Sequence, residues 1–150
     1  MEKPLPTSVL SIDVGSKRIG LAGCDALGIT VTALKPIHRI SFESDLKIIN
    51  SYCINRDVKG LVIGIPLDDM GKLTKQATHC QNYGEKIAKA LNLPLAWVNE
   101  HSSSWEAGEK YNLQGDRSGK IDSAAAVLLL EQWLREGPQL QALDSSTIHS

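Results

Sequence analysis

The stretch Val9-Leu10-Ser11-Ile12-Asp13-Val14-Gly15-Ser16-Lys17-Arg18-Ile19-Gly20 decides the fold of this chain. Its alternating apolar residues predict a β-strand that ends near Val14, a tight turn and a second strand. Side chains alternate between the two faces of a strand, so Asp13 shares the less hydrophobic face with Ser11. Asp before glycine is also ordinary turn chemistry, so a structural role and a functional role for Asp13 are both open here.

Length and charge limit the class of protein. A chain of 150 residues with 42% hydrophobic and 22% charged residues predicts one domain over 1–150, with short flexible tails at about 1–7 and 138–150. The formal net charge of −1 excludes a broad positive field. A nucleic-acid partner would therefore be held by a local basic patch or through metal ions.

The cysteines and the hydropathy pattern indicate a cytoplasmic protein. Cys24, Cys53 and Cys80 are widely spaced and form no CxxC pair, which favours reduced, buried thiols over a zinc site. The N-terminus has no signal-peptide core, and no apolar run approaches the roughly 20 residues of a membrane span. We expect no membrane association.

The periodicity predicts three consecutive strands followed by alternating helices and strands. The predicted strands lie at about 9–14, 18–24, 29–33, 59–66 and 95–98, and Lys35-Pro36 should end or bend the third. The predicted helices start after Ser41 or Ser44, at Lys72, at Ser103 and at Asp122. The order βββαβαβαα predicts an α/β fold, with a mixed sheet of an antiparallel meander plus parallel strands, flanked by helices.

Three carboxylates stand at the ends of predicted elements. Asp13 ends a strand, Glu100 follows a strand and Asp122 opens a helix, and ligand crevices form where such ends meet. Carboxylates gathered there need cations, and two divalent ions about 4 Å apart can activate water for phosphodiester hydrolysis. Capping by Asp122 and a solvated loop position for Glu100 are the structural alternatives.

Four stretches of the sequence resemble the YqgF family, also called RuvX, of RNase H-like Holliday junction resolvases and pre-ribosomal RNA nucleases. They are residues 12–20 around Asp13, Val62-Ile63-Gly64-Ile65-Pro66-Leu67 followed by Gly71, residues 99–107 around Glu100, and residues 119–126 around Asp122. The stretches follow the family's order over nearly the whole chain. The resemblance implies an RNase H-like fold.

The resemblance also implies roles for particular residues. Asp13, Glu100 and Asp122 would bind Mg²⁺ or Mn²⁺ and serve catalysis. Lys17, Arg18 and Lys120 would contact phosphates, although a solvated turn explains Lys17 equally well. Asn99-Glu100-His101 stands where the family usually has Asp-Glu-Arg, and replacing a permanent guanidinium by His101 removes a bidentate phosphate contact at neutral pH.

The resemblance favours a metal-dependent endonuclease that hydrolyses phosphodiester bonds in structured nucleic acid. Processing of the 5′ end of precursor 16S rRNA is the favoured role, with ribosomal particles as further partners, and Holliday junction cleavage by a dimer is the alternative. The sequence leaves monomer and homodimer open. A nucleotide-binding protein with an actin-like phosphate turn and a non-catalytic nucleic-acid-binding module are the competing hypotheses. The first needs a second domain, for which this chain is too short.

Overall fold

A five-stranded sheet with helices on both faces forms the described part of the chain. The computed structural model describes residues 7–67, 70, 72–99 and 120–143, with residues 120–122 described by their backbone alone. In chain order the elements are β1 (Val9–Val14), β2 (Arg18–Cys24), β3 (Val31–His38), α1 (Phe42–Asn55), β4 (Gly60–Ile65), α2 (Lys75–Leu91), β5 (Leu95–Asn99) and α3 (Lys120–Glu136). The helix predicted at Ser103 and the polar stretch 112–119 lie outside the described residues.

The strands form one sheet in the order β3-β2-β1-β4-β5. Strand β2 pairs antiparallel with both β1 and β3, whereas β4 pairs parallel with both β1 and β5. The predicted mixed sheet is confirmed. Because β3 runs in the same direction as β1, the strands β1, β3, β4 and β5 all end at one edge of the sheet, which we call the carboxyl edge.

Alternate residues of β1 pack into two hydrophobic cores, one on each face of the sheet. Leu10, Ile12 and Val14 pack with α1 and α2 on one face. Val9 lies on the other face in a core with Ala22, Val62 and the apolar residues of α3, including the fully buried Trp133. Asp13, two residues after Ser11, therefore belongs to the α3 face.

Strand β3 is longer than predicted, because Pro36 lies inside it and does not end it. β3 is an edge strand, and its pairing with β2 is irregular between Ile19 and Leu21, opposite this proline. An edge strand with a bulge tolerates a residue that has no N–H to donate. The strand therefore runs on to His38, and the residue after it, Arg39, lies at the carboxyl edge.

Side-chain caps fix the starts of α1 and α2. Ser41 Oγ accepts from Ser44 N at 3.2 Å, which confirms the first of the two predicted caps. Thr74 Oγ1 accepts from Ala77 N at 3.0 Å, so α2 begins at Lys75 and not at the predicted Lys72. Leu73, which lies inside the helix predicted from Lys72, instead forms an isolated bridge with Leu67 and is 54% exposed.

The residues after α3 pack against the start of the parallel strands. Gln141 and Leu95 exchange two backbone hydrogen bonds of 2.9 and 3.0 Å, and the side chain of Leu140 fills the space above Gly60. Residues 138–143 thus pack onto the sheet, although the sequence predicts the start of a flexible tail there. The segment turns back because Trp133 Nε1 donates to Pro138 O at 2.6 Å.

The thiols agree with the sequence prediction. Cys24, Cys53 and Cys80 are free and buried, as predicted. In the portion of the chain that is described, no helix combines the length and the apolar character needed to cross a membrane.

Candidate active site

Asp13 lies near the end of β1, at the carboxyl edge and on the α3 face. It pairs with Gly20 of β2 and is partly buried. On the same face, Ser11 Oγ donates to Ala126 O of α3 at 2.7 Å, which fixes the helix over β1. The glycine at position 20 leaves the strand beside Asp13 without a side chain on that face.

The direction of α3 brings its first turn to the same edge as Asp13. The residues after its C-terminus contact the starts of β4 and β5, so α3 ends at the opposite edge of the sheet. Near its start, Ser123 Oγ donates to Leu34 O of β3 at 2.5 Å. Position 122 lies one helical turn before Ala126, hence toward the carboxyl edge from the contact with Ser11. The helix begins at Lys120, so Asp122 lies within the first turn and not at the predicted capping position.

The other predicted site residues follow from the end of β5. Asn99 is the last residue of β5 and pairs with Ile65 at the carboxyl edge. Glu100 and His101 come directly after it and lie outside the described residues, as do the side chains of Lys120 and Asp122. Among the side chains that are described, no group of three His, Cys, Asp or Glu could hold a metal ion. Of the three residues in the predicted triad, Asp13 has a described side chain and the other two do not. The triad therefore stays a prediction.

The turn that follows Asp13 is closed tightly and presents cations. Gly15 N donates to Arg18 O at 2.9 Å, and a Cβ at Gly15 would lie only 2.7 Å from that carbonyl oxygen. Lys17 and Arg18 are both exposed. By alternation from Gly20, Arg18 is on the same side of the sheet as Asp13. The predicted phosphate contacts at Lys17 and Arg18 thus flank the predicted metal ligand.

Arg39 fixes this turn from outside, and the sequence prediction missed it. Its backbone N–H donates to Lys17 O at 2.9 Å, and its Nη1 donates to Gly15 O at 2.8 Å. Gln76 of α2 adds a donor to Val14 O at 3.4 Å. Because the third strand was predicted to end at Ala33, nothing in the sequence pattern placed residue 39 beside the turn after Asp13. The available signal was that a strand tolerates proline at a sheet edge.

Arg39 is itself oriented by a polar and aromatic cluster between α1 and α2. Its Nη1 lies 3.1 Å from His79 Nε2, and its guanidinium lies 4.7 Å from the centre of the Tyr83 ring. The Tyr83 hydroxyl donates to Asp45 Oδ2 at 3.1 Å. Burial, and then the neighbouring Asp45 carboxylate, raise the pKa of Tyr83, so the phenol keeps the proton that it donates.

The sheet order and strand directions define an RNase H-like domain, and a comparison of structures agrees. RuvC from T. thermophilus in complex with a Holliday junction substrate superposes with a TM-score of 0.58, over 91% of this chain and 100% of that chain, at 11% identity. A second Thermus thermophilus RuvC structure gives a TM-score of 0.52 with the same coverage. At this identity the likeness establishes the fold.

Sequence comparison establishes the family. A protein of Prochlorococcus marinus (strain SARG), named "Putative pre-16S rRNA nuclease", is 71% identical over 99% of each chain. A relative of the same name from Synechococcus sp. (strain CC9605) is 59% identical over 99% of this chain and 94% of its own. The sequence profile of RuvX, described as Holliday junction resolvase, matches residues 7–136.

The chain belongs to the RuvX family, and the resemblance found in its motifs is confirmed. The relatives are nucleases by name, which makes them hydrolases of phosphodiester bonds. The expectation of a hydrolase acting on ester bonds is confirmed at the level of the family.

Proposed function

We propose that this protein is a metal-dependent endonuclease that processes the 5′ end of precursor 16S rRNA. The observation that carries the proposal is that Asp13 and the first turn of α3, which contains position 122, lie toward the same edge and on the same face of the sheet. Family membership and the names of the relatives at 71% and 59% identity support the substrate.

The donor chemistry of this edge fits a hard divalent cation. Carboxylate oxygens are ligands that Mg²⁺ and Mn²⁺ prefer, and few are needed because Mg²⁺ keeps several waters. Asp13 would hold the metal together with Glu100 and Asp122. When bound, such ions supply an activated water and stabilise charge on the leaving oxygen.

The protein's own groups then position the substrate. Lys17 and Arg18 stand at the exposed turn, where cations contact phosphates and set the register of a nucleic acid. Arg39 holds two carbonyls of that turn, so the cations keep a fixed place relative to Asp13. We propose Lys120 and His101 as further substrate contacts, with His101 a weaker one than arginine at neutral pH.

Cleavage of a precursor 16S rRNA fragment by the purified protein tests the proposal. With Mg²⁺ or Mn²⁺ the wild type should cut near the mature 5′ end, and Asp13→Asn should lower the rate on the order of 10³-fold, because one ligand loses its charge. Asp57→Asn is the matched control, since Asp57 is exposed, precedes β4 at the opposite edge and has a positive φ that asparagine adopts readily. Equal activity of the Asp13 and Asp57 variants would contradict the assignment.

Cleavage of Holliday junctions is the second candidate, favoured by the printed description of the RuvX family. Resolution of a four-way junction needs two sites and hence a dimer. Paired, symmetric cuts in a synthetic DNA junction, together with a dimer mass in light scattering, would favour this substrate. Cuts in the rRNA fragment by a monomer would favour the first.

We propose a cytoplasmic location for this activity. Cys24, Cys53 and Cys80 are free and buried, and reduced thiols are typical of a reducing compartment.

A further inference from the structure

Cations and aromatic rings form a continuous row of contacts on the α1 and α2 face of the sheet. Arg39 contacts His79 and stacks on Tyr83, and the Tyr83 and Phe42 rings meet edge to face with 5.8 Å between centres. At the far end, Lys86 Nζ lies 4.3 Å from the centre of the Phe42 ring. We call these five residues the cation–aromatic row.

The row extends from the candidate active site along α2. Arg39 anchors it to Gly15, two residues after Asp13. His79 and Lys86 are two helical turns apart on one side of α2, and Lys75 continues that side one turn toward the carboxyl edge. The eleven residue-to-residue steps from 75 to 86 span about 16 Å of helix, which is the axial length of several phosphates on one nucleic-acid strand.

Arg39 and Lys86 of the row, and Lys75 beside it, are available to a ligand. Both side-chain hydrogen bonds of Arg39 use Nη1, and its contact with Tyr83 uses the face of the guanidinium, which leaves Nη2 and Nε for a further acceptor. That fork matches the oxygens of a phosphate. Lys75 and Lys86 are exposed. Within the described ranges, none of these three cations has an ion pair, whereas Lys59 pairs with Asp57 at 3.0 Å.

The nearest buried acid is satisfied inside the protein. Asp45 is 2% exposed, and its two oxygens accept from the Tyr83 hydroxyl at 3.1 Å and from Ile40 N at 3.4 Å. The exposed part of the row therefore carries the positive charges of Arg39 and Lys86, while Glu43 and Glu85 are the sequence neighbours of its Phe42 and Lys86. The contacts of Arg39 with the Tyr83 ring and of Lys86 with the Phe42 ring hold these charged groups in position.

We propose that the cation–aromatic row, continued by Lys75, binds the phosphate backbone of a structured nucleic acid. One nucleic-acid strand would run from the cleavage site along the α1 and α2 face. This inference rests on the proposed function, because it assigns a second contact surface to the same substrate. It also explains how a chain with a net charge of −1 holds a polyanion, since the cations form a local path.

Salt-dependent binding to a short RNA duplex with a single-stranded 5′ extension tests the inference. The measurement is made in EDTA, so that no metal-dependent cleavage occurs, with Lys75→Gln, Lys86→Gln and wild type. Each variant should bind on the order of fivefold more weakly at physiological salt. Each should also lower the slope of log K against log salt by about 0.9, because one phosphate contact is lost.

Lys59→Gln is the matched control. Lys59 is an exposed lysine that directly precedes β4, at the edge of the sheet opposite the carboxyl edge and away from the row. The control variant should bind the RNA as wild type does. Lys86→Arg keeps the charge and should keep the wild-type slope of log K against log salt.

Three outcomes would overturn the inference. If Lys59→Gln weakens binding as much as Lys86→Gln, the attraction is diffuse and no path exists on this face. If the wild type binds and all three glutamine variants match it, the path is wrong while the proposed nuclease stands. If the wild type does not bind the duplex at all, the proposed function fails with it.

Discussion

At the scale of single residues, burial gives two side chains an unusual proton affinity. Cys53 of α1 is 8% exposed, and desolvation raises the pKa of its thiol from 9.0 to about 11. Burial and the Asp45 carboxylate raise the pKa of Tyr83 above its ordinary value of 10.0. In the unfolded chain both groups lose their protons at lower pH than in the folded chain.

The folded protein should therefore lose stability at high pH. Below about pH 9 both states hold the Cys53 proton, so its contribution is fully present. Between about pH 9 and pH 11 only the folded state holds it, and the free energy of unfolding should fall by about 1–3 kcal/mol. Above pH 10 Tyr83 adds a further loss. Urea unfolding at intervals from pH 7 to pH 11 measures the curve.

A pair of core variants separates titration from packing. Cys53→Ala removes the thiol, so its stability should fall less steeply between pH 9 and pH 11 than that of wild type. Ile49→Val truncates a fully buried neighbour on the same helix and should keep the wild-type slope at a lower stability. Parallel curves for all three proteins would show that the thiol does not titrate as described.

The sequence predicted the position of Asp13 but missed the role of Arg39. The difference is that the position of Asp13 follows from the pattern of one strand, whereas the role of Arg39 depends on contacts between distant parts of the chain. The alternation of β1 predicted that Asp13 lies near a strand end on the face of Ser11, and the structure confirms the strand end and covers that face with α3. Arg39 acts through contacts with Gly15 and His79, which are 24 and 40 residues away in the chain. No periodicity within one element encodes such contacts, because they depend on how three elements meet.

At the scale of elements, the β1–β2 turn connects the predicted metal ligand to the predicted phosphate contacts. Its geometry requires glycine at position 15, where a Cβ would lie 2.7 Å from the backbone oxygen of Arg18. A backbone atom cannot move aside as a side-chain tip can. A side chain at this position must therefore open the turn.

Gly15→Ala should lower stability by about 1–3 kcal/mol and reduce nuclease activity, since Lys17 and Arg18 move relative to Asp13. Ser16→Ala, an exposed position in the same turn, is the control and should change stability by no more than about 0.5 kcal/mol. Thermal unfolding and the cleavage assay measure the two effects. Wild-type behaviour of the Gly15 variant would mean that the turn relaxes without consequence.

Element boundaries were predictable where local chemistry decides them. Ser41 capped α1 as its sequence indicates, and the apolar strands β1, β2, β4 and β5 lie within a residue or two of their predicted positions. The prediction was wrong at the end of the third strand, which continues past Ala33 to His38, and at Leu73, because tertiary pairing decides there. The shift in register opposite Pro36 fits the predicted alternative that the proline bends the strand. β3 tolerates its proline as an edge strand with a bulge, and the bridge of Leu67 with Leu73 precedes the cap at Thr74.

At the scale of the whole molecule, the strand directions bring the predicted site residues toward one edge. Four strands end at the carboxyl edge, and α3 starts there, so residues far apart in sequence share one surface. The opposite edge is closed by the segment after α3, in which Gln141 pairs with Leu95 and Leu140 covers Gly60. The sequence predicted the sheet from its periodicity, but it could not predict this closure, because residues 138–143 show no strand or helix pattern.

Removal of this closing segment should destabilise the entire domain. A chain that ends at Gly137 loses the hydrogen bond from Trp133 to Pro138, both hydrogen bonds between Leu95 and Gln141, and the apolar contact of Leu140. The sum of these losses should lower the free energy of unfolding by about 2–5 kcal/mol.

A chain that ends at Leu143 is the matched comparison, because it differs from the shorter one only in residues 138–143. It should unfold at higher urea concentration than the chain ending at Gly137. Hydrogen exchange should also show the amide of Leu95 protected in the longer chain and exposed in the shorter one. If the two truncated chains unfold at the same urea concentration with equal exchange at Leu95, the segment contributes nothing to stability and β5 is held by β4 alone.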